Sequence, residues 1–419
     1  MNSFLLHRLG HLKLRLLIMA ASTAAGPLFA ADWPQWRGPD RTGIASETGL
    51  LKEWPTNGPP LVWKAIGLGA GYSSVAVVGS RIFTLGDGAD AAEVIALSTD
   101  DGSLLWRKPL GRPGGGGGYP GPRCTPTVDG DRVYALGQHG DLVCLRVADG
   151  REVWRKNLKS DFEGRVGGWG YSESPLVDGD AVICTPGSPK GTLLALNKRT
   201  GETLWRSREL TDSADYTSVI VAEIDGVRQY IPLTQASVAG VAAKDGRLLW
   251  RAERKGATAV IPTPIYHDHH VFVTSGYGVG CNLFKVSSTN GHFTVEQAYA
   301  NRDMVNHHGG VVRIGDHLYG YCDRNGWSCL DFKTGRVLWS SKKLGKGAVV
   351  AADGHLILRS EGSAGTVALI EATPEGYREK GRFAQPDRSG KNSWPHPVVS
   401  GGRLYLRDQD VLLCFNLKA

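Results

Sequence analysis

The sequence contains no Cys-x-x-Cys and no Cys-x-x-Cys-His, so structural zinc and covalently attached haem have no support in it. Gly-x-Ser-x-Gly, a phosphate-binding loop and His-Glu-x-x-His are absent as well, which removes the common hydrolase, nucleotide and zinc-protease signatures. Beyond the first thirty residues no apolar run approaches the ~20 residues that a membrane-spanning helix needs. Neither sign of charge dominates. The formal net charge is +7, and basic residues follow the tryptophans one per repeat around the chain. A nucleic-acid interface would call for a concentrated basic patch instead.

What the chain does have is one phrase, repeated. Asp101-Gly102 leads to Trp106-Arg107, Asp149-Gly150 to Trp154-Arg155, Thr200-Gly201 to Trp205-Arg206, Asp245-Gly246 to Trp250-Arg251, and Thr334-Gly335 to Trp339-Ser340. The tryptophan intervals are 48, 51, 45 and 89, the last being a double step. A degenerate copy at Thr289–Val295 puts Val295 in the Trp position, and another at Pro374–Lys380 puts Lys380 there. Trp63, 43 residues before Trp106, completes a series of eight. A period in the forties built from short strand-like runs is the signature of stacked β-blades.

Each unit reads as four strands joined by three tight turns, with apolar and polar residues alternating along each strand. The last unit, from Pro397 to Leu417, supplies only three strands, while Leu61–Ala65 stands alone at the front. The expectation is an all-β, eight-bladed β-propeller of four-stranded antiparallel blades. The N-terminal strand completes the last blade, so no open edge is left. Trp63, Trp106, Trp154, Trp205, Trp250 and Trp339 are then structural docking residues between blades. Each indole removes ~150–250 Å² from water, on the order of 4–6 kcal/mol as an upper bound.

The first thirty residues differ in kind. Arg8, Lys13 and Arg15 precede the apolar run 16–25, and small residues follow up to Ala30 and Ala31. This is the composition of an export signal over 1–30, leaving 31–419 as a single propeller domain in a periplasmic or secreted protein. No Cys follows the apolar stretch, so a lipid anchor is not expected. Loss of the three basic residues takes the formal charge from +7 to about +4. Seven cysteines are an odd number for an exported chain. Cys144, Cys329 and Cys414 occupy equivalent positions inside apolar strands and read as buried free thiols. Cys322 and Cys329 are expected to face each other across an Asn325-Gly326 turn, at a hydrogen-bonded pair where side chains stand apart, which leaves a bridge between them open.

Loops leading from one blade's Trp strand into the next blade's innermost strand are the long ones: 110–123, 158–171, 301–308 and 385–396. Such loops converge on one mouth of a propeller's channel and are where binding residues usually sit. Aligned by their turns, Tyr72, Tyr171, Glu173 and Tyr216 approach that mouth, as do Arg123, His307, His308, Trp394 and His396. Such a polar ring can hold a small polar ligand or carbohydrate, or simply line a wet channel, with Arg123 and Glu173 pairing across adjacent blades. The run His267-Asp268-His269-His270 has the residues of a metal cluster but aligns with plain turns on the opposite mouth, so no metal site is expected there.

The segment 329–339, with its Asp331, Thr334-Gly335 and Trp339, resembles the tryptophan-docking motif of the eight-bladed PQQ-like propeller superfamily. Ala195–Trp205 and Ala96–Trp106 match it less fully. The run Trp33-Pro34-Gln35-Trp36-Arg37-Gly38-Pro39-Asp40-Arg41-Thr42-Gly43 resembles the opening of exported bacterial members described as BamB-like or PQQ-binding-like. The resemblance implies one of two roles. The first is a binding or scaffold propeller with a protein partner or small ligand at the central mouth. The second is a PQQ-dependent dehydrogenase of an alcohol or sugar, with calcium, in which Glu173 would help hold the metal and Arg123 the quinone. The dehydrogenases often carry adjacent cysteines, which this chain lacks, so the resemblance favours the scaffold role and assigns no catalytic residue.

Overall fold

The computed structural model describes Met1 and residues 32–418; the export signal expected over 1–30 therefore lies outside the described residues but for Met1. Among the described residues strands make up eight sheets, each built on four antiparallel members, one of them with a fifth, parallel strand added. Blade 1 consists of Ala76–Val78, Arg81–Asp87, Ala92–Ser98 and Leu104–Gly111. Blades 2 to 7 follow in order over 127–157, 176–206, 220–253, 265–301, 311–341 and 347–384. Blade 8 takes three strands from 398–416 and its outermost from Leu61–Ala65, with Leu61 opposite Phe415, Trp63 opposite Cys414 and Ala65 opposite Leu412. Ring closure by strand exchange is as the repeat arithmetic requires.

The alternation expected along every strand holds only at the rim. Val133–Leu136 and Leu142–Leu145, the middle strands of blade 2, are buried without interruption, whereas the outer strand Glu152–Asn157 buries Trp154 and leaves its neighbours at least partly exposed. A blade is covered on both faces by its neighbours, so its middle strands have no solvent side. Blade 8 illustrates this: Leu404 and Leu412 share one core cluster with Ile82 of blade 1 and Ile357 of blade 7.

The docking tryptophans act through one repeated contact. The indole N–H of Trp63, Trp106, Trp154, Trp205 and Trp339 donates to the backbone oxygen of Thr99, Val147, Lys198, Ala243 and Thr373 respectively, each in the next blade, at 2.8–3.1 Å. For Trp63, Trp106, Trp154 and Trp205 the turn glycine of the next blade (Gly102, Gly150, Gly201 and Gly246) lies against the ring. A Cβ at Gly246 would stand 2.4 Å from the Trp205 ring, and its φ of +76° is unfavourable for any other residue. Both demands explain the glycine in the copies that receive a ring; at Gly291 and Gly376 a Cβ would meet nothing, and the positive φ alone favours glycine.

Three positions depart from the repeat as read from sequence. Trp250 donates inward to Gln229 Oε1 at 2.7 Å, within its own blade. In blade 5 the outer hairpin is extended to ten residues a side, and Tyr299, not Val295, reaches the docking position; its hydroxyl donates to Phe332 O at 3.1 Å and its ring covers Gly335. In blade 7 Lys380 falls in the bulge and Gly381 takes the Trp position, covered by Trp54 from the N-terminal segment. Insertion of extra strand residues moves the register, and a motif count cannot follow it.

All seven cysteines are free and buried. Cys144, Cys329 and Cys414 do share one position, each opposite a docking Trp. Cys322 pairs with Gly326, and Cys329 with Tyr319. The loop is therefore three residues, 323–325, ending on Gly326 at φ +86°, rather than the two-residue Asn-Gly turn. The two thiols that were expected to face each other are offset along the sheet.

The element no repeat count revealed is the segment 32–45. It enters at the mouth where Asp32 accepts from Gly79 N, climbs the channel, turns, and returns as a two-residue strand, Ile44–Ala45, parallel to Gly347–Ala352 of blade 7. On the way it touches every blade. Trp33 exchanges backbone bonds with Val77 and Pro34 O accepts from Val128 N, all at 2.8 Å. Arg41 donates to Pro175 O and Val219 O at 2.5 and 2.8 Å, and Arg37 to Val311 O at 2.5 Å. Trp36 Nε1 donates to Thr263 Oγ1 at 2.9 Å, and its ring lies 4.5 Å from that of His396, which leads into blade 8. Glu173 is buried near this plug and accepts from Thr185 N and Thr185 Oγ1 at 2.5 and 2.8 Å. Burial pushes its carboxyl up to about 7, against those hydrogen bonds and the nearby Arg41 charge.

Two outcomes follow from this packing. Replacing Tyr299 with Ala should cost at least about 2 kcal/mol in urea unfolding, while Val295→Ala should cost less than about 1 kcal/mol; equal losses would place the dock elsewhere. For Glu173, the folded state keeps its proton up to about pH 7, while the unfolded chain releases it near its ordinary value of ~4.3. The folded protein therefore binds more protons between those limits, and this group's effect lowers stability as pH rises from about 4 to about 7, by up to about 4 kcal/mol. Above pH 7 Glu173→Gln should be the more stable protein, and the difference should vanish towards pH 4. A difference between the two that does not change with pH would mean the carboxyl is ionised throughout.

Candidate functional site

The plug stops short of the other mouth, and above it lies a cavity of about 230 Å³. Its floor is Trp36, at the apex of the plug, beside His396. Its walls come from the long inter-blade loops, as the loop lengths suggested. Trp394 is the centre of one wall: its ring lies 4.6 Å from Tyr72, 4.8 Å from Tyr119 and 5.4 Å from His308. Trp169 and Tyr216 meet edge to face across the cavity's other side at 5.8 Å. Tyr277, at the tip of a blade 5 hairpin with φ +57°, packs on His307 at 4.8 Å.

One guanidinium enters this wall. Arg123 sits over the Tyr72 ring at 5.5 Å and donates to the oxygens of Gly121, Trp169 and Tyr119 at 3.2, 3.3 and 2.7 Å. It therefore ties the two Gly-rich loops together as well as lining the cavity. It makes no pair with Glu173, whose oxygens are engaged by Thr185 in the layer below.

The imidazoles have defined roles. Lys346 Nζ lies 2.6 Å from His307 Nδ1. An ammonium only donates, so Nδ1 accepts and Nε2 carries the proton. Burial, then the neighbouring His308 and Lys346 charges, push His307 down to about 3, so the ring is neutral. His308 Nε2 lies 2.6 Å from Glu361 Oε2, which also accepts from Trp394 Nε1 at 2.8 Å. Burial works against the Glu361 carboxylate, but His308 and Lys346 prevail and hold it below its ordinary range. His396 donates from Nε2 to His308 O at 2.9 Å and is pushed down to about 3, mainly by burial.

Of the nine residues expected at the mouth, the structure brings seven together: Tyr72, Arg123, Tyr216, His307, His308, Trp394 and His396. Tyr171 and Glu173 fall outside the cavity lining. Tyr171 is buried and its hydroxyl donates to Pro186 O at 2.9 Å. Glu173 follows two residues on, beneath the floor. Sequence reasoning missed Trp36, Tyr119, Trp169 and Tyr277. Tyr119 and Trp169 lie in loops already singled out for length, so aromatics in those loops were a usable signal; nothing local marks Trp36 as an apex. The His267–His270 run is a turn at the opposite mouth, as expected, with His269 Nε2 2.8 Å from Asp225 and Lys333 2.9 Å from Asp268.

These residues do not fit a calcium-bound quinone. Calcium takes 6–8 oxygen ligands, carboxylates prominent among them. No Asp or Glu lines the cavity. Glu361, behind the wall, is engaged by His308 and Trp394, and Glu173 by Thr185. Among the described residues no cluster of three or more His, Cys, Asp or Glu is arranged to hold a metal ion, and no helix is long and apolar enough to cross a membrane.

Comparison with known proteins places the chain. A family profile described as "Outer membrane protein assembly factor BamB" matches residues 56–135 and 90–341. Curated proteins of that name are similar in part. The one from Kangiella koreensis is 26% identical over 197 residues, 44% of each chain, and the one from Moranella endobia 23% identical over 239 residues, 55% of this chain and 53% of the relative. The alignments thus span about half the length of these relatives. Among solved structures, BamB from Moraxella catarrhalis superposes with a TM-score of 0.57 at 16% identity, over 80% of this chain and 94% of that one. Quinohemoprotein alcohol dehydrogenase from Comamonas testosteroni superposes with a TM-score of 0.65 at 13% identity, over 92% and 80%. Identities so low speak for the propeller alone; the profile, matched over more than half of the chain, shows that this protein belongs to the BamB-type family of PQQ-like β-propellers.

Proposed function

We propose that this chain is an exported, periplasmic binding propeller of bacteria, a platform that receives a partner at its cavity-bearing mouth and catalyses no reaction there. The observation that carries this reading is the filled channel. The chain's own plug occupies the space below Trp36, and what remains is an aromatic cavity without a lining carboxylate. Aromatic residues with a few convergent polar groups are typical of recognition sites. The relatives named as outer membrane protein assembly factors support a protein as the partner. The basic and apolar composition of residues 1–30 supports export.

Two measurements test this. Chain incubated with calcium and PQQ should give no dye-linked oxidation of alcohols or sugars; turnover would overturn the non-catalytic part. A photo-crosslinking residue at Tyr277, which is exposed at the mouth, should capture a discrete protein in the periplasm. The same group at Asp180, on a turn of the opposite face, should not. Equal capture from both faces, or none from the mouth, would overturn the binding part.

A further inference from the structure

We infer that the cavity takes a small ring-shaped carboxylate, its ring against the aromatic walls and its carboxylate on the free edge of Arg123. This rests on the mouth being a recognition site and names what that site recognises.

Charge comes first. The lining holds one guanidinium and no carboxylate, with the Lys346 ammonium just behind His307. A cationic guest would face Arg123 with no counter-charge, so the aromatic rings do not work here as a cage for ammonium groups. Hydrogen-bonding capacity points the same way. Arg123 has five N–H groups, of which three are taken by Gly121, Trp169 and Tyr119. Two remain, enough for the forked contact that a carboxylate accepts. With Nδ1 occupied by Lys346, His307 presents a neutral ring whose only remaining polar atom is the Nε2 donor. The lining hydroxyls can donate or accept, whereas these N–H groups can only donate, so they match a guest rich in acceptors; a hydrocarbon would leave them unpaired.

Size and shape narrow the class. About 230 Å³ is below the ~300–1,000 Å³ of pockets for drug-sized ligands, which suits one ring with its substituents. The Tyr72–Trp394–Tyr119 wall offers flat faces to one side of such a ring. Two sources share this chemistry, a uronic acid (free or at the end of a polysaccharide) and an aromatic acid.

The test titrates the purified chain with glucuronate, galacturonate and benzoate, each acid paired with its neutral amide, and reads fluorescence of the lining tryptophans and melting temperature. Saturable quenching by at least one acid is expected, and at least about ten-fold weaker for its amide, since a charge-assisted contact is lost. Response to the uronates or to benzoate assigns the source. Arg123→Gln should abolish the preference for acid over amide, and Arg123→Lys should keep part of it. Because Arg123 also ties the loops, the acid–amide comparison on the unaltered protein decides if the variants fail to fold. Equal binding of acid and amide, or no saturable response to any of the acids, would overturn the inference. Neither result alters capture of a protein at Tyr277, so failure here and failure of the binding reading remain separable.

Discussion

The innermost strand of a propeller blade has a sheet on one side only; its other edge faces the channel with backbone N–H and C=O groups unpaired. Leaving such groups buried and unmatched costs about 1–3 kcal/mol each. Eight blades multiply that cost. This chain answers it with its own segment 32–45, which brings backbone to blades 1, 2 and 7 and the fixed fork of two arginines to blades 3, 4 and 6. Arg37 and Arg41 are almost fully buried, and burial lowers each to about 10, well above neutral pH. Guanidinium carries five donors in a rigid plane, so one side chain can serve carbonyls from two blades at once.

That plug decides where a site can exist. It closes one mouth and leaves the other open down to Trp36, so the cavity is a shallow bowl rather than a through-channel. The bowl's walls are inter-blade loops, held by Arg123 on one side and by the Lys346, His307, His308 and Glu361 chain on the other. The neutral rings of His307 and His396 line the bowl because the surrounding blades withhold water from them. Glu361, the carboxylate behind its wall, is engaged by His308 and Trp394. Recognition chemistry, with donors and flat rings, is what such a bowl supplies.

Around the ring, docking shows how a repeat tolerates change. Five tryptophans use one bond to the next blade, and in four of these a glycine receives the ring. Where the motif fails, the contact is preserved by other means. Tyr299 extends from a lengthened hairpin, and Trp54 arrives from outside the repeats to cover Gly381. The constraint is on the inter-blade contact and not on the residue that makes it.

The repeat period, the turn glycines and the unpaired strand at Leu61–Ala65 were legible along the chain, because blades are local units whose strands pair with their sequence neighbours. They sufficed for blade number, ring closure and the equivalence of Cys144, Cys329 and Cys414. Long loops between blades marked the mouth and seven of its residues. Other features needed three dimensions. Hairpin length shifts register, which moved Val295 out of the dock and parted Cys322 from Cys329. In the stretch before Leu176 the Tyr171 hydroxyl turns to Pro186 O and the Glu173 carboxyl to Thr185, away from the cavity. The plug lies outside the repeat altogether, and its contacts run from Trp33 with Val77, 44 residues apart, to Trp36 with His396, 360 residues apart. No local pattern in Trp33–Gly43 reveals that its partners are eight different blades, since they become neighbours only once the ring has closed around it.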